Sequence, residues 1–289
     1  MSTPKYKIYP SILDKFQKFL DSDLVAEEFW NKKNDDYILT PDKMAERLEQ
    51  ELIDSLNRVA KLPSEAADKG TAFNEVIDCI IDRHPTERED MEIRVDVQME
   101  EGGPCRQEPN SGELRYNITA YPYIGVKYNG WDFRFQEALC RIVADYFDEC
   151  VPQYTCSAIL PTVYGDVELY GYVDYIGTNK IYDLKTTKKY HFGNYEKYWQ
   201  KHVYPYCLIE SGEMEEVTEF EFTIVQWQES ANKPISGEIF KEVYTYSHEA
   251  SKAKLTAVCE SFIEWLEANR DKITDKKIFG GENDEVPCD

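Results

Sequence analysis

Residues 171–187, GYVDYIGTNKIYDLKTT, contain two runs of strand-forming residues separated by the turn sequence GTNK. If the central turn residues, 178 and 179, form a two-residue hairpin loop, the numbers of paired residues sum to 357 (178 + 179). Asp174 and Asp183 then face each other, with their Cβ atoms about 5 Å apart. Lys185 lies two residues beyond Asp183 and shares its face of the strand. The pattern predicts a hairpin with three charged side chains on one face.

Two carboxylates that face each other repel and destabilise a sheet unless something offsets their charge. A divalent cation would offset it, and Mg²⁺ is commonly held by one or two carboxylates together with water and substrate phosphates. Lys185 beside such an ion would be suited to orient an attacking water or to stabilise charge on a phosphate. The alternative is a solvent-exposed cluster of Asp174, Lys185 and Asp183 that has no catalytic role.

Three short motifs in this region resemble those of the PD-(D/E)XK nuclease superfamily, in particular its RecB-like exonuclease branch. That branch has Gly-x-x-Asp, then Asp-x-Lys-Thr, then Gln-x-x-x-Tyr on the following helix. The matching residues are Gly171, Asp174, Asp183, Lys185, Thr186, Gln200 and Tyr204. The resemblance covers residues 64–83 and 155–227, and the motifs occur in the family's order.

The resemblance implies an α/β fold with a restriction-endonuclease-like core, in which a mixed central sheet is flanked by helices. It implies hydrolysis of phosphodiester bonds in DNA with Mg²⁺ or Mn²⁺, by an exonuclease or a single-strand-acting nuclease of recombination, repair or phage DNA metabolism. The implied catalytic residues are Asp174, Asp183 and Lys185. The implied metal ligands are Asp174, Asp183 and the carbonyl of Leu184.

The segment KGTAFNEVID, residues 69–78, resembles the first motif of the branch, a Gly followed four residues later by a metal-binding His or Glu. Here the position four residues after Gly70 is Asn74, which carries no charge. A helical wheel at about 100° per residue places Asn74 within the apolar arc that contains Phe73 and Ile77. Asn74 would therefore point inward and give the metal a neutral ligand, form a supporting hydrogen bond, or be an ordinary buried asparagine.

Residues 175–205 carry six lysines against two acids, a balance of 6 − 2 = +4 in an otherwise acidic chain. Aromatic residues are interleaved with these lysines, which suits stacking and charge contacts to a single strand or a frayed end. A helix over about 194–210 is expected to carry the Gln-x-x-x-Tyr motif. His191 and His202 are expected to be loop or surface residues rather than ligands. The predicted substrate-binding residues are Thr186, Lys188, Lys189, Gln200 and Tyr204.

The 289-residue chain carries 33 Lys and Arg against 55 Asp and Glu, a net charge of −22. This charge excludes a protein that coats nucleic acid through bulk electrostatics, although a local basic surface can still serve a nuclease. No stretch of about 18 consecutive apolar residues occurs, and the N-terminus lacks the apolar core of a secretion signal. We therefore expect an intracellular, cytoplasmic protein that binds no membrane, and the resemblance implies DNA as its partner.

The eight cysteines are spread along the chain, and none forms a C-x-x-C pair. Some members of the RecB-like branch carry an iron–sulfur cluster whose cysteines group after the nuclease core. Only Cys259 and Cys288 follow the core here, and they are far apart. We therefore expect no iron–sulfur cluster.

The chain is expected to have three parts. Residues 1–63 form an N-terminal helical segment, and residues 64–273 form the nuclease core. A β-rich insertion interrupts this core at about 86–130. Residues 274–289 are expected to form an acidic C-terminal tail.

A second function remains open from the sequence. A non-catalytic protein of the same fold could use its acidic surface to mimic DNA toward a basic partner, or to inhibit a protein by binding it. The net charge of −22 and the uncharged Asn74 favour this alternative. The enzyme is favoured by the intact motif residues Asp174, Asp183, Lys185, Gln200 and Tyr204.

Overall fold

The computed structural model describes residues 4–30, 40–107 and 114–280 and shows a mixed α/β fold. The helices are α1 (Pro10–Leu20), α2 (Ser22–Trp30), α3 (Pro41–Leu56), α4 (Glu65–Asp82), α5 (Glu137–Phe147), α6 (Gln200–Glu210) and α7 (His248–Ala268). The strands are β1 (Tyr6–Ile8), β2 (Met91–Gln107), β3 (Leu114–Tyr128), β4 (Trp131–Gln136), β5 (Val151–Thr162), β6 (Gly165–Ile176), β7 (Lys180–Thr187), β8 (Glu219–Gln228) and β9 (Ser236–Thr245).

Six of the described strands form a central mixed sheet in the order β1-β6-β7-β8-β9, with β5 also paired to β6. β1 runs parallel to β6 and β7 runs parallel to β8, whereas the other neighbours are antiparallel. β2, β3 and β4 form a separate antiparallel sheet. The predicted mixed central sheet with flanking helices is confirmed.

The hairpin of β6 and β7 has the predicted register, with Tyr175 paired to Tyr182 and Ile176 paired to Ile181. The ladder ends after these two pairs. β7 continues beside β8 along its whole length, while the same edge of β6 next pairs with β1 at Val167–Leu169. The two strands of the hairpin therefore diverge at the position of the predicted carboxylates.

The other edge of β6 is also irregular at Asp174. The pairing with β5 runs from Pro152–Tyr175 to Tyr154–Val173 and passes over Gln153, whose φ of 48° is left-handed. Within the described chain, Asp174 therefore has no paired residue on either neighbouring strand.

The two faces of the central sheet carry separate cores. α1, α6 and α7 cover one face, where Phe222 and Phe262 are fully buried. α4, α5 and the three-stranded sheet cover the other face, where Phe73 and Leu184 are buried. Burying a large apolar side chain of this kind stabilises the fold by about 1.5–3 kcal/mol. Because side chains alternate along a strand, β7 directs Asp183 toward α6 and Leu184 toward α4.

The helix that carries Gln200 starts later than predicted. α6 begins at Gln200 rather than near residue 194, and residues 192–197 form turns. Gly193 has a left-handed backbone with a φ of 86°, which a helix does not accommodate. The N–H of Trp199, the residue before α6, donates to the side chain of Asp14, so a backbone N–H at the helix start has a hydrogen-bond partner. The predicted one-turn separation of Gln200 and Tyr204 on one helix is confirmed.

The boundaries of the core differ from those expected. The segment before residue 63 contains β1, which joins the central sheet. Ile278 and Phe279 lie beyond the predicted start of the tail at 274 and are buried in the core, and residues 281–289 lie outside the described residues. The insertion at 86–130 forms the long β2–β3 hairpin, and β4 was not predicted.

The longest described helix, α7, has 21 residues and carries charged side chains along its length. No helix in the described ranges is long and apolar enough to span a bilayer.

Candidate functional site

The carboxylate of Asp174 lies at the point where β6 and β7 diverge. Its Oδ2 accepts a hydrogen bond of 2.8 Å from the backbone N–H of Leu184. Since the N–H and C=O of one strand residue point to the same side, the carbonyl of Leu184 also points toward Asp174. Burial and the charge of Asp183 raise the pKa of Asp174 to about 8, although Lys185 acts in the opposite direction.

Asp183 is the buried centre of the site, with only 1% of its surface exposed. Its Oδ2 lies 2.7 Å from Nζ of Lys185, and its Oδ1 accepts a hydrogen bond of 2.6 Å from Nε2 of Gln200. Burial acts to lower the pKa of Lys185, but the charges of Asp183 and Asp174 outweigh it and raise that pKa. Lys185 therefore stays charged beside Asp183 and Asp174.

The second side of the site is the first turn of α6. Nε2 of Gln200 donates to the hydroxyl of Tyr204 at 3.1 Å as well as to Asp183. Tyr204 reaches this position because Gly171 leaves room for its ring: a Cβ built on Gly171 would lie 2.5 Å from Cε1 of Tyr204. Gly171 and Tyr204, which belong to two different predicted motifs, are therefore in direct contact.

The third side of the site is α4. Gly70 lies against Thr186, because a Cβ built on Gly70 would be 2.8 Å from Oγ1 of Thr186. Two turns later, Oδ1 of Asp78 accepts a hydrogen bond of 2.7 Å from Tyr175, and the charge of Asp78 contributes to the raised pKa of Asp174. Asn74 lies midway between these contacts on the same helix face.

The side-chain oxygen of Asn74 is buried and has no hydrogen-bond partner among the described residues. Leaving a buried acceptor unsatisfied costs about 1–3 kcal/mol. The open alternative of a satisfied buried asparagine therefore does not describe this residue. A bound cation within reach of α4 would give the oxygen a partner.

The residues fit one hard divalent cation. No group of three or more His, Cys, Asp and Glu side chains suited to a metal occurs in the described ranges, so a charged third ligand is lacking. The available oxygens are those of Asp174, Asp183, the Leu184 carbonyl and Asn74. Mg²⁺ characteristically uses one or two carboxylates and completes its coordination shell with water and phosphate oxygens. The two carboxyl groups and the neutral oxygens present here are donors of this kind.

The predicted substrate-binding residues lie in different surroundings. The side chain of Thr186 is half-buried against α4, on the face of β7 opposite to that of the Lys185 side chain. Lys188 and Lys189 are exposed in the turn after β7, where the Thr187 hydroxyl accepts from the N–H of Lys189. Neither lysine is ion-paired with Asp174 or Asp183.

The basic stretch is less uniform than its sequence suggested. Lys180 is paired with Glu219 at 3.0 Å and Glu221 at 2.9 Å, and Lys197 is paired with Asp21 at 2.9 Å. These partners come from α1–α2 and β8, which are distant in sequence. The charge that remains available near the end of β7 is therefore mainly that of Lys188 and Lys189.

Asp14 of α1 belongs to the surroundings of the site but was not among the predicted residues. Its Oδ1 accepts a hydrogen bond of 2.7 Å from the N–H of Trp199, directly before Gln200. Burial raises the pKa of Asp14 to about 6, and the charges of Lys185 and Asp183 also act on it. The only signal in the sequence is an acidic residue next to the apolar stripe of Leu13 and Phe16.

Comparisons with known proteins add little to this geometry. No protein-family model and no curated protein matches the chain. Among solved structures, the crystal structure of SSO0001 aligns with a TM-score of 0.30 and 10% identity, over 44% of this chain and 55% of that chain. A similarity this low carries no argument about fold or function.

Proposed function

We propose that this chain is a divalent-metal-dependent deoxyribonuclease with a restriction-endonuclease-like core of the PD-(D/E)XK superfamily. It would act as an exonuclease or on single strands, in recombination, repair or phage DNA metabolism inside the cell. The observation that carries the proposal is the convergence on Asp183, which is ion-paired with Lys185, bonded to Gln200 and electrostatically coupled to Asp174.

Asp174, Asp183, the Leu184 carbonyl and Asn74 would hold one Mg²⁺ or Mn²⁺. When bound, the ion would lower the pKa of a water and polarise the phosphate. Lys185 is kept protonated by the neighbouring carboxylates, so its ammonium can donate hydrogen bonds to a phosphate oxygen as charge develops there. Gln200 holds one oxygen of Asp183 and thereby fixes the orientation of that carboxylate.

Asp174 must lose its proton before it can act as a ligand. Since its pKa is raised to about 8 without metal, metal binding displaces a proton from it. Metal affinity and cleavage should therefore both increase with pH through this region.

The alternative is an acidic DNA mimic of the same fold. The net charge of −22 and the neutralisation of Lys180 and Lys197 by acidic partners favour it. Such a protein would bind a basic partner, would not cleave DNA, and would not respond to Mg²⁺ or Mn²⁺.

The test is digestion of end-labelled linear DNA, single- and double-stranded, and of circular DNA, with Mg²⁺ or Mn²⁺. Lys185→Met should retain metal binding but lose about 10³-fold or more in rate, because the ammonium acts mainly in the transition state. Asp183→Asn should lose both metal binding and cleavage. Asp145→Asn is the matched control, because Asp145 is exposed on α5.

Cleavage by the wild type and by Asp145→Asn, but not by Lys185→Met, would support the nuclease. Equal cleavage by all variants would point to a contaminant, and an inactive wild type that binds a basic protein would support the mimic. A preference for linear over circular substrate would assign exonuclease action.

A further inference from the structure

A cavity of about 420 Å³ lies beside the start of α6. Tyr198 lines this cavity, and its ring centroid lies 5.8 Å from Nζ of Lys185. The cavity is in the size range of pockets that bind small ligands, about 300–1,000 Å³. Its lining includes Tyr198, Trp199, Lys201, His202, Tyr244 and Lys254.

Lys201 is the unusual residue of this cavity. Only 9% of its surface is exposed, and within the described residues no carboxylate lies within 4.0 Å of its ammonium. Its ammonium lies over the ring of Tyr244, whose centroid is 4.5 Å from Nζ. Lys254 adds a second positive charge nearby. Its charge acts together with burial to lower the pKa of Lys201. The charge of Glu196 acts in the opposite direction, but burial prevails and the pKa of Lys201 is lowered. A buried cation that its carboxylate neighbours offset only in part is costly, and a bound anion would reduce that cost.

The remaining walls carry Glu196, the ion pair of Asp21 with Lys197 at 2.9 Å, and neutral donors and rings. Nδ1 of His202 lies 2.9 Å from the hydroxyl of Ser251, and burial lowers the pKa of this histidine to about 4. His202 is therefore uncharged, and it lies half-buried in α6 rather than in a loop or on the surface as predicted. The indole N–H of Trp199 is buried and has no acceptor among the described residues. The rings of Tyr198 and Tyr244 provide flat surfaces for stacking.

We propose that this cavity binds a phosphorylated nucleoside, with the phosphate at Lys201 and Lys254 and the base against the tyrosine rings. Two cations match a phosphate group, and flat aromatic walls match a base. The nucleotide is either free or the phosphorylated terminal nucleotide of a strand. This site is separate from the carboxylate site, and its occupation does not require a divalent cation.

The test is calorimetric titration in EDTA with dAMP, inorganic phosphate and deoxyadenosine. The wild type should bind dAMP more tightly than phosphate, and phosphate more tightly than deoxyadenosine. Lys201→Met should weaken dAMP binding by at least about tenfold, because the buried counter-charge is lost. The matched control is Lys241→Met, since Lys241 also lies on a tyrosine ring, 3.5 Å from the centroid of Tyr146, but outside the cavity.

Absence of dAMP binding by the wild type, or equal affinity in Lys201→Met and the wild type, would overturn the proposal. If Lys201→Met does not fold, the test uses Lys254→Gln, because Lys254 is exposed at the rim of the cavity. We expect this variant to bind dAMP more weakly than the wild type, and unchanged binding would contradict the proposal. Short oligonucleotides ending in a phosphate or a hydroxyl distinguish the two sources. A preference for the phosphorylated end assigns a strand, and binding of dAMP alone assigns a free nucleotide.

Discussion

The backbone N–H of Leu184 donates a hydrogen bond to Oδ2 of Asp174 at 2.8 Å, across the gap that opens between β6 and β7. A side chain thus replaces a ladder partner where the two strands separate. The same strand residue turns its carbonyl toward Asp174, so a main-chain oxygen and a carboxylate face one another at the divergence. The candidate site depends on this departure from regular hairpin geometry.

The first prediction concerns the pH dependence of stability in Asp174→Asn. Burial and Asp183 raise the pKa of Asp174 from 3.8 to about 8. The folded protein therefore retains a proton that the unfolded chain releases above its lower pKa, and this group's contribution to stability is lost as the pH rises toward 8. In EDTA, the gain in unfolding free energy of Asp174→Asn over the wild type should grow with pH, reaching on the order of 1–3 kcal/mol near pH 8.

Chemical denaturation at several pH values measures this difference. Asp145→Asn is the control for a general charge effect, because Asp145 is exposed. A difference between Asp174→Asn and the wild type that stays constant over this range would contradict the assigned environment of Asp174.

The second prediction concerns Gly171→Ala. The new methyl group would lie 2.5 Å from Cε1 of Tyr204, which is buried and has little room to move. Overpacking of this kind costs about 1–3 kcal/mol and should displace Tyr204, and with it Gln200. Stability and cleavage should therefore both fall.

A double-mutant cycle with Tyr204→Ala checks the cause of that loss. Thermal unfolding should show that Gly171→Ala costs much less when Tyr204 is already truncated. Additive effects would show that Gly171 acts through its backbone rather than through Tyr204.

The third prediction concerns the salt dependence of DNA binding. Replacing both Lys188 and Lys189 by Gln should weaken binding to single-stranded DNA and lower the salt slope by up to about 1.4, the value for two lost phosphate contacts. Lys180→Gln is the control, because Glu219 and Glu221 already neutralise Lys180. Fluorescence anisotropy in EDTA over a range of salt concentrations measures both, and equal slopes in the two variants would refute the assignment.

The register of the hairpin was predictable from the sequence, because a two-residue turn and strict alternation leave one pairing of Tyr175 with Tyr182. The α6 motif was also predictable, since Gln200 and Tyr204 are four residues apart on a helix face. These features depend on local spacing, which a sequence displays directly.

Other features depend on contacts between distant segments. Where β6 has separated from β7, its edge pairs with β1 at Val167–Leu169, and a three-residue strand near the N-terminus gives little signal in the sequence. Asp14 reaches Trp199 only because α1 packs against α6 in the folded chain. The charge of Lys180 is neutralised by Glu221 of β8, which no spacing near the hairpin indicates.

Titration of the metal-free protein with Mn²⁺, followed by calorimetry, tests most directly whether Asp174 and Asp183 hold one cation. The wild type should bind one ion per chain. Asp183→Asn should bind it at least about tenfold more weakly, because an amide oxygen is a poorer ligand than a carboxylate for a hard cation. Lys185→Met should bind it at least as well as the wild type. Absence of Mn²⁺ binding by the wild type, or unchanged affinity in Asp183→Asn, would contradict the account.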